Sequence, residues 1–112
     1  MELSHADIDC SVINFGMPRV GTQQYAMFAE TKVSTLRYTH FQDIVPHIPP
    51  MKSFDFHHVC SEMYEDERGA VTACQDPSCE DPSCADQFAL RETNGDDHVV
   101  YLGLPLTCAA VS

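Results

Sequence analysis

The apolar pattern of residues 10–41 constrains the fold of this chain more than any other feature. Residues 10–15 (CSVINF) are rich in β-branched side chains and precede a glycine, which predicts a short buried strand. After a turn bounded by glycine and proline, Thr22 can cap a helix over about residues 23–32. Residues 34–41 (STLRYTHF) alternate and predict a second strand. Strand, helix and strand within about 30 residues predict a βαβ unit, with parallel strands and a right-handed crossover. The helix would place on one side Tyr25, Phe28, Ala29 and Lys32.

Downstream of this unit the sequence predicts two more strands and no second helix of comparable length. Three prolines interrupt residues 42–51, which are therefore predicted to form a loop. Residues 54–64 (FDFHHVCSEMY) and 70–74 (AVTAC) are interpreted as a third and a fourth strand, joined by a hairpin turn. A parallel sheet needs helices on both faces, and one helix cannot cover both. We therefore predict an α/β protein whose domain is incomplete within this chain.

The charge balance excludes several classes of function. The chain carries 17 acidic and 6 basic residues, for a net charge of −11. Such a surface repels phosphate backbones and anionic lipid heads, whereas nucleic-acid binding needs clustered Lys and Arg. No apolar run approaches the ~20 residues that span a bilayer, and the N-terminal sequence MELSHADIDC lacks the basic and apolar regions of a signal peptide. We therefore expect no nucleic-acid partner and no transmembrane segment.

The cysteine content is typical of a protein from an oxidising compartment, with six cysteines in 112 residues. That interpretation conflicts with the missing signal peptide, unless the true N-terminus lies upstream of Met1. Cys79 and Cys84 belong to a tandem duplication, QDPSC followed by EDPSC. We interpret the duplication as part of a tolerant surface loop.

A metal site is an alternative interpretation of the same part of the chain. The candidate ligands are His57, His58, Cys60, Cys74, Cys79 and Cys84. The last three have a C-x4-C-x4-C spacing, whereas structural zinc more often uses C-x2-4-C pairs in two arms. Disulfide bonds are therefore favoured over zinc. The Asp-rich residues 76–86 lack the ordered ligand spacing of an EF-hand, so at most loose calcium binding is expected.

Two polar residues have the order of a catalytic acid and base. Asp43 comes immediately after the second predicted strand, at the carboxyl edge where open α/β sheets build their sites. His98 lies in a predicted loop about 55 residues further on. An Asp and then a His, each on a loop, is the chain order of α/β-type serine hydrolases after their nucleophile. In that chemistry the imidazole moves the serine proton, and the carboxylate orients the imidazole.

Four stretches of the chain also carry a resemblance to a known family. They are NFGMPRVG (14–21), FQDIVPHIPP (41–50), FHHVCSEMY (56–64) and DDHVVYLG (96–103). With these stretches, in this order and over about residues 12–103, the chain resembles the fungal-type class 3 lipases, which include related feruloyl esterases. The resemblance implies the C-terminal portion of an α/β-hydrolase sheet, with Asp43 as the triad acid and His98 as the triad base.

The same resemblance identifies a missing part. The family's serine lies in a GHSLGG-type elbow upstream of the NFGMPRVG block, and only 13 residues precede that block here. No serine of the chain has a glycine two positions before it, so the 112 residues contain no GxSxG motif. We therefore expect residues 1–112 to be a partial hydrolase domain without the nucleophile elbow, inactive alone.

The resemblance implies a carboxylic-ester hydrolase acting on a lipid ester of the triacylglycerol type. It implies no metal and no organic cofactor, and an extracellular location for the intact family member. The family closes one small disulfide loop before the triad His, which Cys74 would form with either Cys84 or Cys79. Cys10 and Cys108 would then be left to pair with cysteines upstream.

Structural roles are expected for other motifs. GMPRVG (16–21) lacks the Lys-Ser/Thr pair of a phosphate-binding loop and is interpreted as a strand-to-helix turn. By the resemblance, His58 and Glu62 belong to a strand between the acid and the base. The alternative from another functional class is a noncatalytic, cysteine-rich binding or structural module, with or without bound zinc. If His98 is not the base, the next candidates are His40, His47 and His58.

Overall fold

The computed structural model describes residues 8–107. Its strands are β1 (Ser11–Phe15), β2 (Gly21–Thr22), β3 (Ser34–His40), β4 (Phe56–His57), β5 (Glu62–Glu65), β6 (Val71–Ala73), β7 (Val100–Tyr101) and β8 (Leu104–Pro105). Its α-helices are α1 (Gln23–Lys32) and α2 (Met51–Phe54), and 3-10 turns lie at Val45–His47, Ala85–Gln87, Leu90–Glu92 and Asp96–Val99. The main sheet has the order β1-β3-β5-β6, with β1, β3 and β5 parallel and β6 antiparallel to β5. Two antiparallel pairs, β2-β4 and β7-β8, complete the described sheets.

The predicted βαβ unit is confirmed. β1 pairs in parallel with β3 along its whole length, and α1 lies between them in the chain. Thr22 caps α1 as expected, because its side chain accepts a hydrogen bond from the backbone N–H of Tyr25 at 3.3 Å. The side of the helix that carries Tyr25 and Phe28 is exposed, and the buried residue of the helix is Ala26. The helix thus packs through a small side chain rather than through its aromatic ones.

The prediction of one strand over residues 54–64 is also wrong. Phe54 ends α2, the two residues of β4, Phe56 and His57, pair with β2, and β5 begins only at Glu62. Asp55 and Ser61 have left-handed φ angles of 54° and 69°, a conformation that an extended ladder does not contain. The segment therefore turns twice and contributes to two different sheets. The hairpin predicted after it is confirmed as the antiparallel pair β5-β6.

The interior of the described residues is largely polar. Arg37 and Asp43 are each 1% exposed, whereas Ile13 on β1 is 63% exposed and Met27 on α1 is 61% exposed. Buried charges are costly unless each has partners, so specific hydrogen bonds must hold this interior. The exposed apolar faces agree with the expectation that one helix does not cover the sheet. Within residues 8–107, no helix has both the length and the apolar character needed to cross a membrane.

Candidate active site

The structure brings the predicted acid and base together at the carboxyl edge of the sheet. After β3 the backbone N–H of Asp43 donates to the carbonyl of His40 at 2.9 Å, which closes a turn and places Asp43 just past the strand. His98 lies on the 3-10 turn Asp96–Val99. Its Nδ1 is 2.9 Å from Oδ2 of Asp43, although 55 residues separate the two in the chain. The geometry expected of the pair is therefore present.

Three donors hold the Asp43 carboxylate, which is 1% exposed. Oδ1 accepts the backbone N–H of Val45 at 2.8 Å, and Oδ2 accepts both His98 Nδ1 at 2.9 Å and the hydroxyl of Tyr101 at 2.5 Å. These bonds offset the cost of removing the carboxylate from water and leave it one orientation. Burial and the neighbouring Asp43 carboxylate raise the pKa of Tyr101, so the phenol remains a protonated donor at neutral pH.

The His98 side chain is 38% exposed, whereas its Asp43 partner is buried. A carboxylate acceptor at Nδ1 selects the tautomer with its proton on Nδ1, which leaves the lone pair on Nε2. A half-exposed imidazole in this tautomer can take a proton from an approaching hydroxyl at Nε2. The buried carboxylate then stabilises the imidazolium that forms.

Two residues of this site were not found by sequence reasoning. Gly16, which follows β1, has a φ of +70°, and a Cβ built on it would lie 2.8 Å from His98 Nδ1 and 2.9 Å from Asp43 Oδ2. Both the backbone conformation and the space therefore require glycine. The available signal was a glycine directly after a predicted strand. Tyr101 had no local signal, because only the fold brings its hydroxyl to Asp43.

The GMPRVG turn contributes a buried ion pair that joins distant loops. Arg19 Nη2 is 2.8 Å from Glu80 Oε1, and Arg19 Nε is 3.0 Å from Glu80 Oε2, so the pair is bidentate. The remaining Nη1 donates to the carbonyls of His47 at 2.8 Å and Pro49 at 3.0 Å. Glu80 belongs to the second pentapeptide of the duplication. The turn thus ties the duplicated loop to the loop that follows Asp43, a structural role as predicted.

The other histidines named as possible bases occupy different environments. His58 is buried, donates from Nε2 to the Pro46 carbonyl at 2.6 Å, and has its pKa lowered to about 3, chiefly by burial. A neutral ring facing a carbonyl must donate, so His58 is a structural donor. Burial likewise lowers the pKa of His47. His40 Nδ1 is held at 2.8 Å from the carbonyl of Asp97. Of these rings, only that of His98 contacts a carboxylate oxygen within 3 Å.

Four of the cysteines form two disulfides. Cys74 pairs with Cys84, which was one of the two predicted partners, and Cys79 pairs instead with Cys60. Each copy of the duplicated pentapeptide therefore supplies one cysteine to a different bridge. Cys108 lies outside the described residues.

The disulfides also bear on the predicted zinc alternative. Among the described residues, the two groups that could hold a metal ion are Glu30, Cys60 and Cys79, and Glu62, Cys74 and Cys84. Each group includes both members of a disulfide. A bridged sulfur is not the thiolate that binds zinc, so these residues favour covalent bridges over a metal site.

A coupled pair of carboxylates next to Arg19 makes stability depend on pH. Burial and the adjacent Glu80 raise the pKa of Asp86 to about 7, from an ordinary value of 3.8. Against the opposing effect of burial, hydrogen bonds from Arg19 lower the pKa of Glu80 to about 2. The folded state thus binds a proton at Asp86 more tightly than the unfolded chain does, and this contribution to stability is lost as pH rises from about 4 to about 7.

We expect Asp86→Asn to remove this pH dependence, because the amide resembles the protonated acid at every pH. The variant should unfold at a higher temperature than the wild type at about pH 8, and the two should converge at about pH 5. Thermal unfolding followed by circular dichroism measures the difference. Asp9→Asn, at an exposed position, is the matched control and should follow the wild type. An unchanged pH profile in Asp86→Asn would contradict the assignment.

The fold and the Asp–His pair together indicate the class of protein. An Asp–His pair on loops at the carboxyl edge of a parallel sheet is the arrangement of α/β-hydrolases. The chain superimposes on lipase II from Rhizopus niveus with a TM-score of 0.78 and 28% identity, over 94% of this chain and 41% of that one. It superimposes on a triacylglycerol lipase, described as having a serine protease triad at its catalytic centre, with a TM-score of 0.79 and 24% identity, over 94% and 42% of the two chains.

Sequence comparison supports the same family. Residues 2–53 match the class 3 lipase family. A stretch of 49 residues is 45% identical to a lipase from Rhizopus niveus, covering 43% of this chain and 12% of that protein. Over these residues the chain is similar to class 3 lipases. It spans less than half of the length of the solved relatives that it matches.

Proposed function

We propose that this chain supplies the general base and its orienting acid to a serine-dependent carboxylic-ester hydrolase, whose substrate is a lipid ester of the triacylglycerol type. The observation that carries the proposal is the hydrogen bond of 2.9 Å between His98 Nδ1 and the buried Asp43 Oδ2. This bond leaves Nε2 as the basic nitrogen on a half-exposed ring, which is the form that a serine hydrolase uses.

The proposed chemistry assigns one step to each residue. His98 Nε2 takes the proton of a serine hydroxyl as the oxygen attacks the ester carbonyl, and it returns that proton to the departing alcohol, which leaves an acyl-enzyme. His98 then takes a proton from the water that attacks the acyl group and returns it to the serine oxygen, so that the carboxylic acid leaves. Asp43 keeps the Nδ1 tautomer and stabilises the imidazolium. Tyr101 holds the carboxylate in place without touching the substrate. Acyl transfer by this route requires neither a metal nor an organic cofactor.

The serine is not in the 112 residues by the GxSxG criterion, so the proposal needs a nucleophile elbow from another segment. The family supports this arrangement, since one solved relative is described as a triacylglycerol lipase with a serine protease triad. We propose that residues 1–112 form part of such a hydrolase domain. The two disulfides and the family support an extracellular site of action.

The alternative of a noncatalytic cysteine-rich module is not favoured. Its strongest support was the set of six candidate zinc ligands, two histidines and four cysteines. The four cysteines of that set form two disulfides. The buried Asp43 with its three donors is also an expensive feature for a module without chemistry.

The test joins the 112 residues to the upstream segment of the Rhizopus niveus lipase that would carry its elbow. We expect the joined protein to hydrolyse short-chain and triacylglycerol esters and to be blocked by a serine-directed phosphonate. The 112-residue chain alone should match a non-enzyme control, since even one absent oxyanion donor costs about 10²–10³ in rate. A folded joined protein without phosphonate-sensitive turnover would contradict the proposal.

A further inference from the structure

The loop that carries His98 is bonded to the backbone on both sides of Asp43. The N–H of Asn94 donates to the carbonyl of Gln42 at 2.8 Å, and the N–H of Ile44 donates to the carbonyl of Asn94 at 2.9 Å. These two bonds form an isolated parallel bridge between Asn94 and Asp43. The loop that carries His98 is therefore hydrogen-bonded to the residue before Asp43 and to the residue after it.

The side chain of Asp97, the residue before His98, adds further hydrogen bonds between the same two loops. Its Oδ2 accepts the Asn94 side-chain amide at 3.1 Å and the backbone N–H of Gln42 at 3.3 Å. Asn94 Oδ1 in turn accepts the backbone N–H of Asp97 at 2.8 Å. The Asp97 carbonyl accepts His40 Nδ1 at 2.8 Å, on the strand that leads to the acid. We call this set the clasp, composed of His40, Gln42, Asn94 and Asp97.

We propose that Asn94 and Asp97 are positioning residues, which set the register of the His98 imidazole on the Asp43 carboxylate. The inference rests on the proposed function, because the pair that they position is the proposed acid and base. Asp97 is the residue before His98, so any displacement of its backbone moves the ring. A hydrogen bond of 2.9 Å tolerates little displacement, and a misplacement of about 1 Å can cost about 10²-fold in rate.

The donor and acceptor pattern of the clasp makes the two side chains interdependent. Asp97→Asn weakens the contact, because a neutral amide oxygen is a poorer acceptor than a carboxylate for the N–H groups of Asn94 and Gln42. Asn94→Asp removes the donor and sets two carboxylates against each other. The double variant Asn94→Asp/Asp97→Asn exchanges the roles, so that one amide donor again faces one carboxylate. Each single change should therefore disturb the clasp, and the exchange should restore it.

The test measures the tautomer of His98 in the 112-residue chain. Long-range 1H–15N correlation spectra detect both ring nitrogens through carbon-bound protons, so the readout does not depend on solvent exchange. We expect the wild type to hold the proton on Nδ1. Asp97→Asn and Asn94→Asp should shift His98 toward the tautomer mixture of free imidazole, and Asp43→Asn should shift it to the tautomer with the proton on Nε2. The double variant should return it to the wild-type spectrum. The neighbouring exposed Asp96→Asn is the matched control and should have no effect.

Three outcomes would overturn the inference. One is a wild-type spectrum without an Nδ1-protonated His98, since there would then be no pair to position. Another is unchanged spectra in both single variants while Asp43→Asn changes them. The third arises if circular dichroism shows that a single variant is unfolded. In that case the double variant decides, and a folded double variant without the wild-type tautomer overturns the inference.

An activity measurement separates this inference from the proposed function. In the joined protein the single variants should lower kcat by up to about 10²-fold with KM unchanged, and the double variant should recover most of it. Spectra that behave as expected in a joined protein without turnover would refute the proposed function alone. If the joined protein is active and the single variants leave the His98 spectrum unaltered, the positioning role of the clasp alone is refuted.

Discussion

His98→Ala in the joined protein is expected to lower kcat/KM by about 10⁴–10⁶-fold, the range seen when a triad base is removed. The reason is chemical, because without the imidazole the serine hydroxyl keeps its proton and is a poor nucleophile at neutral pH. Hydrolysis of a short-chain ester measures the loss, and circular dichroism shows whether the variant is folded as the unsubstituted joined protein is. His57→Ala is the matched control, since His57 lies on β4 and contacts the carbonyl of Ser78 rather than the acid.

Asp43→Asn should cost about 10⁴-fold in the same assay. An amide at this position can donate to Nδ1, which would select the tautomer with the proton on Nε2 and remove the base. Two results would contradict the assignment. One is His98-dependent turnover by the 112-residue chain alone, which would reveal another nucleophile. The other is a joined protein indifferent to His98→Ala, which would place the base elsewhere.

Glu80→Gln is expected to destabilise the protein by about 3–5 kcal/mol, the largest effect on stability that we anticipate. The substitution leaves the Arg19 guanidinium buried, 5% exposed, without its bidentate partner. Removing one member of a buried ion pair costs about this much, because Asp86, whose Oδ1 is 3.4 Å from Arg19 Nη2, compensates the remaining charge only in part. Chemical denaturation at about pH 5 and pH 8 measures the change, and Glu67→Gln, at an exposed position, should stay within about 0.5 kcal/mol of the wild type.

A double-mutant cycle distinguishes this cause from general damage to the loop. Once Glu80→Gln is present, Arg19→Gln should cost less than it does in the wild type, with a coupling of about 0.5–3 kcal/mol. The remaining cost reflects the carbonyls of His47 and Pro49, which lose their donor in either background. Additive effects, or a loss below about 1 kcal/mol in Glu80→Gln, would show that the pair does not hold the two loops together.

The sequence by itself determined the elements whose signals are local. The βαβ unit over residues 10–41 followed from periodicity, and the Thr22 cap followed from its place before the helix. Asp43 was found because it comes after a parallel strand, and the resemblance paired it with His98. The predicted strand over residues 54–64 failed because its apolar pattern does not reveal two left-handed residues, Asp55 and Ser61. Backbone reversals of this kind at ordinary side chains have no reliable local signal.

Only the tertiary structure decided which distant groups meet. Tyr101 reaches Asp43 across 58 residues, and Arg19 reaches Glu80 across 61. Cys79 forms its disulfide with Cys60 rather than with Cys74, although the spacing of the cysteines in the sequence favoured neither pairing. The need for glycine at position 16 becomes visible only in the fold, where His98 and Asp43 leave no space for a Cβ atom. Local propensity depends on neighbours in the chain, whereas these pairings depend on how the strands and loops pack, and so the composition of the site is a property of the fold.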